Sequence, residues 1–158
     1  MAVKKKYFLF LPLLGGLIAL VIAFISLIPI GSTYIFSFHI LKSGGIYHYI
    51  WGIVENGVSW YEFSSISVEN IGPLVFWIFL VFSAICGIIG VSFKENPKTI
   101  KKLLLIGGFC VTLEFGYFTT LYFLNFGAYQ FGFGYYGLIL VLFSYFLSAG
   151  LVTEYQKI

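Results

Sequence analysis

GSTYIFSFHILKSGGIYHYIWGIVENGVSWYEFSSISVENIG, Gly31 to Gly72, is the stretch whose reading decides the fold. On either side of it the chain is long apolar run or short connector. This is therefore the one stretch long enough to fold outside a membrane. It is rich in β-branched and aromatic residues and is cut by turn residues. Asn56-Gly57 suits a type I′ hairpin, because both positions tolerate positive φ. Ser43-Gly44-Gly45 marks a second turn. Strands are expected over 33–41, 46–54 and 58–68, joined as a small antiparallel meander.

The turns set a register. Asn56-Gly57 pairs Glu55 with Val58, Ile53 with Trp60 and Trp51 with Glu62. A turn around Ser43-Gly44 pairs Leu41 with Ile46 and Phe38 with Tyr49, and places His39 opposite His48. One face then carries Tyr34, Phe36, Phe38, Ile40, Tyr47, Tyr49, Trp51, Ile53 and Trp60. The other carries Ser37, His39, Leu41, His48, Ile50, Tyr61, Phe63 and Ser65. A slip of one residue exchanges the faces. The first face is too aromatic to be left in water. Three readings are open: it packs on the helix ends and the aromatic turn Phe126–Tyr136; it docks another protein or a second copy of the chain through Tyr34, Phe36, Phe38, Tyr47, Tyr49, Trp51 and Trp60; or it lines a lipid groove.

Outward from this stretch the solvent is lipid. The chain is 60% hydrophobic and 9% charged, against about 25% charged residues in soluble domains. Four helices are expected to cross the cell membrane, at 7–30, 73–93, 103–124 and 131–152, with connectors at 94–102 and 125–130 and a tail at 153–158. The fold class is thus an all-α membrane bundle of four transmembrane helices, in one domain, with the sheet in the first external loop. The first apolar run exceeds a signal-peptide core and has no small-x-small cleavage site, so it is read as a retained helix. Eight of the nine lysines lie in the amino terminus, the 94–102 connector and the tail. The positive-inside rule then puts both termini in the cytoplasm and the sheet outside.

Every basic residue is Lys and every acidic one Glu. The lack of Arg, with the lysines set beside helix ends, argues against nucleic-acid partners. Cys86 and Cys110 fall within expected helices, so no disulfide staples the external loop. Small residues recur where helices can approach closely: Gly15, Ala19 and Ala23 in the first helix, and Gly108, Thr112, Gly116 and Thr120 in the third.

Three features bear on chemistry. His39 and His48, if opposed, could take a metal ion or act as a pH switch, yet a structural zinc site needs four ligands and no third His or Cys is at hand. Glu114 falls near the middle of the third helix, where a charged side chain costs about 3 kcal/mol. It is expected there as the neutral acid, with Tyr117 one turn away as hydrogen-bond partner. Either it makes a structural bond between helices, or it carries protons or touches a quinone or a cation. Gly132, Gly134 and Gly137 have GxGxxG spacing but follow no strand of an α/β unit, so nucleotide binding is rejected. No cofactor is expected from these residues, with lipid or quinone as the exceptions, and no enzyme is indicated. The expected partners are the bilayer and other membrane subunits or further copies of the chain.

The layout of cytoplasmic ends, a long β-forming first external loop and a short second one resembles the claudin and peripheral-myelin-protein type of four-helix membrane protein. It does so by topology over the whole chain. Trp51-Gly52 and Trp60 stand in the loop, but the family's cysteine pair does not. The resemblance implies an adhesion, barrier or accessory role and transfers no site residue.

Overall fold

The structure, a computed structural model, describes residues 2–24, 38–55, 58–60, 71–93, 96–125 and 127–155. Four helices run over α1 Ala2–Phe24, α2 Ile71–Ser92, α3 Pro97–Leu124 and α4 Phe133–Tyr155. Helices α2, α3 and α4 are each long and apolar enough to cross a membrane, and the described part of α1 adds a shorter apolar segment, Phe10–Phe24. α1 packs on α2 and α4, and α3 packs on the same two, so the bundle closes as a ring. Its outside is apolar: Phe82 and Ile85 on α2, Phe109 on α3, and Leu140 and Phe143 on α4 are all exposed.

Several helix boundaries move: α1 begins at Ala2 rather than 7, α2 runs over Ile71–Ser92 rather than 73–93, and α4 extends to Tyr155 rather than 152. α3 begins six residues before the expected Leu103, because Asn96 caps it: its side chain accepts from the Thr99 amide at 3.2 Å, with Pro97 in the first turn. Much of the supposed connector is therefore helix. α4 begins at Phe133 rather than 131, because Gln130–Phe131 pairs as a strand.

That strand belongs to the sheet. Among the described residues the strands are β1 Leu41–Ser43, β2 Ile46–Tyr49, β3 Gly52–Glu55, β4 Val58–Trp60 and β5 Gln130–Phe131. Their order is β4-β3-β2-β1-β5, with every neighbouring pair antiparallel. The Asn56-Gly57 hairpin has the expected register, with Glu55 opposite Val58 and Ile53 opposite Trp60.

The first hairpin does not. Its two-residue turn is Gly44-Gly45, with Gly44 at φ 55°. This pairs Ser43 with Ile46 and Leu41 with His48, so His39 is not opposite His48. The expected strand 46–54 is also broken: Tyr49 pairs with Gly52, and Ile50-Trp51 form a turn between them. Both turn residues are buried, and Trp51 stacks on Tyr49 at 5.1 Å. Burial of the hairpin tip in the common core outweighs the usual preference for polar turn residues. His48 therefore shares a face with Leu41 and Ile53, while Tyr47 lies opposite Val54 on the other.

Candidate functional site

At the waist of the bundle a single side chain meets the other three helices. Tyr145 of α4 is fully buried, and its hydroxyl donates to the Ser83 carbonyl of α2 at 2.7 Å. Gly15 of α1, Gly87 of α2 and Gly107 of α3 lie against its ring. A Cβ at Gly15 would stand 2.7 Å from the ring edge, and one at Gly107 3.1 Å. Side chains at these positions would fill the slot. Gly16 crosses α2 equally closely, with a Cβ there 2.9 Å from the Ala84 carbonyl. Gly15, Ala19 and Ala23, the expected small-residue row on α1, are all buried.

The row on α3 is placed differently. Gly108 is buried against Phe146, but Thr112, Gly116 and Thr120 are exposed, and a Cβ on Gly116 would meet nothing within 4 Å. Thr112 instead closes on its own helix, donating to the Gly108 carbonyl at 2.8 Å. Glu114 lies away from this row, as the 3.6-residue period requires. It shares the buried stripe of Gly107, Val111 and Phe118 and is fully buried. Tyr117 is not its partner. It is half exposed and packs its ring on Phe76 of α2 at 4.8 Å. Neither carboxyl oxygen of Glu114 has a hydrogen-bond partner among the described residues, and the buried Ser83 Oγ has none either. Cys86 and Cys110 are both buried, free thiols. The buried serines of α4 are satisfied within their own helix: Ser144 donates to the Leu140 carbonyl and Ser148 to that of Ser144.

At the sheet end, the segment before β1 lies on the first turn of α4. The His39 carbonyl accepts from Gly134 N–H at 3.0 Å and the Ile40 carbonyl from Gly132 N–H at 2.9 Å. These are donors that a helix start leaves unpaired. A Cβ on Gly132 would strike His39, and one on Gly134 would stand 2.5 Å from the Phe38 carbonyl. Gly137 gives the same room to Ile22 of α1. The GxGxxG-like spacing is thus a packing device: the helix start that could hold a phosphate already holds two backbone carbonyls.

The two histidines are separated by their surroundings. His39 meets Tyr47 and Tyr49 edge-on at 5.3 and 6.4 Å. His48 meets Tyr129 at 5.1 Å, its Nε2 has no partner among the described residues, and burial lowers its pKa below the ordinary 6.5. Among the described residues no group of three or more His, Cys, Asp or Glu is placed to hold a metal. Of the residues expected to dock a partner, Tyr49 and Trp51 are buried inside the chain. Phe38 and Tyr47 are partly buried against the core. Tyr34, Phe36 and the Trp60 side chain lie outside the described residues. The aromatic turn is part of the same assembly: Tyr122, Phe131 and Tyr135 stack in succession at 4.1 and 4.0 Å, joining α3, β5 and α4.

No family model matches the chain, and neither a curated protein nor a solved structure matches it.

Proposed function

We propose that this chain is a non-enzymatic integral membrane protein that serves as an interaction or accessory subunit of a larger membrane assembly. Its four helices cross the bilayer with both termini in the cytoplasm, and its sheet stands on the outer face. The observation that carries this reading is the fixed seat of the sheet. β5 runs directly into α4, β1 pairs with β5, and two carbonyls cap the helix start. A surface held this firmly to the bundle is suited to bind a partner with little ordering cost. The accessible part of it is built around Phe38, Lys42 and Tyr47, with the Lys42 ammonium 5.0 Å from the Tyr47 ring. The apolar faces of α3 and α4 serve lipid or neighbouring helices.

The test is purification of a tagged chain from its native membrane in gentle detergent, with mass spectrometry and an optical spectrum of what co-elutes. Partner proteins in fixed ratio are expected, and replacing Tyr47 with Ala should release them without unfolding the chain. A lone species carrying a quinone, haem or metal would overturn the reading. The buried carboxyl of Glu114, without a partner among the described residues, favours a second one: a small proton-, redox- or lipid-handling component. Under it, Glu114→Gln abolishes the activity of the assembly while leaving the assembly intact.

A further inference from the structure

Both carboxyl oxygens of Glu114 and the Oγ of Ser83 are buried without partners among the described residues, and the helices that carry them are packed together. Two contacts fix their relative levels. Gly107 of α3 lies beside Ser83 and Cys86 of α2, and Phe118 of α3 lies beside Phe76 of α2. The helices are therefore antiparallel, and Glu114 falls between those two levels. Each Cα–Cβ bond leans toward its own helix's N-terminus. From Glu114 that direction is toward Gly107, and from Ser83 it is toward Phe76. The two side chains therefore lean into the same stretch of the α2–α3 contact, between the levels of Gly107 and Phe118.

Glu114 is seven residues beyond Gly107 in α3, an axial offset of about 10 Å at 1.5 Å per residue. After the reach of a glutamate and a serine, the remainder is too long for a direct hydrogen bond and suits a bridging water. Cys110, a buried thiol one turn before Glu114 on α3, lies on the same stretch of the helix between Gly107 and Glu114. No lysine occurs between residues 43 and 93 or between 103 and 156. A carboxylate here would have no counter-charge, and a dry acid would leave its hydrogen-bonding capacity unused.

We infer that Glu114 and Ser83 are the two ends of an internal hydrated site between α2 and α3, in which water joins the neutral Glu114 acid to Ser83 Oγ beside the Cys110 thiol. Two polar ends are the fewest that hold a buried water, and Glu114 and Ser83 supply them. The inference rests on the Glu114 reading only for the acid's place in the interior, and it requires no turnover.

The test is infrared spectroscopy of the full chain in lipid nanodiscs at neutral pH. A protonated-carboxyl stretch is expected that vanishes in Glu114→Gln and shifts down in D2O. In Ser83→Ala it should move to higher frequency, because the bridging water loses an anchor and polarises the carbonyl less. A band that ignores both D2O and Ser83→Ala would show a dry acid and overturn the site. So would a band that appears only after sodium and potassium are removed, which would mark a cation site. The D2O shift needs no variant and stands even if Ser83→Ala fails to fold. Glu114→Gln assemblies with full activity would sink the proton- or redox-handling role and leave the hydrated site untouched.

Discussion

The waist of the bundle and the seat of the sheet use the same device with opposite partners. At the waist, Gly15, Gly87 and Gly107 withhold their Cβ atoms so that one side chain, Tyr145, can stand among four helices. At the seat, Gly132 and Gly134 withhold theirs so that main chain can approach main chain at Phe38-His39. The difference is in what can be removed. The waist is filled by a side chain, so a substitution can empty it. The seat is filled by backbone, so it can only be forced apart.

Emptying the waist gives the sharpest test. Tyr145→Ala leaves a cavity lined by three glycines, which have no side chains to collapse into it, and frees the Ser83 carbonyl. A loss of about 3–5 kcal/mol is expected, as for other large aromatic truncations, read as a lowered thermal midpoint in detergent. A small change would mean that the helices close over the gap and that the slot is not what sets their spacing.

Forcing the seat apart comes next. Gly134→Ala puts a Cβ against the Phe38 carbonyl and should cost about 1–3 kcal/mol, the usual cost of overpacking. Its mark should be local: faster hydrogen exchange at the amides of Gly132, Gly134 and β1, with the α1–α2 crossing unchanged. Loss of protection across all four helices would show that sheet and bundle fold as one unit.

The third effect is a pH dependence confined to the sheet. His48 has its pKa lowered in the fold, so the unfolded chain, at the ordinary 6.5, takes up its proton first as pH falls. Stability is complete above 6.5 and declines below it, toward the folded value. The ring that faces His48 is that of Tyr129, 5.1 Å away, and the sheet's other imidazole, His39, packs on Tyr47 and Tyr49 instead. His48→Phe should abolish the acid loss in a thermal titration, and an unchanged titration would assign it elsewhere.

The smallest expected effect is at Gly116, whose surroundings are open. Gly116→Ala should leave stability unchanged or raise it by up to about 1 kcal/mol through helix propensity. A clear loss would show that a second copy of the chain packs on the exposed row Thr112, Gly116 and Thr120, a face that none of the described residues covers.

Amino-acid sequence alone carried the broad plan: four apolar helices, a β-forming stretch after the first, the Asn56-Gly57 hairpin, and Glu114 turned away from the α3 small-residue row. Each of these follows from local chemistry, in composition, turn preference or helical period. The break at Ile50-Trp51, the entry of Gln130–Phe131 into the sheet, the separation of His39 from His48, and the choice of Tyr145 as the residue at the waist were decided only in three dimensions. Register depends on a turn that two adjacent glycines and a serine allow in more than one form. The role of a glycine depends on which atom arrives where its Cβ would have been, and that atom comes from a distant part of the chain.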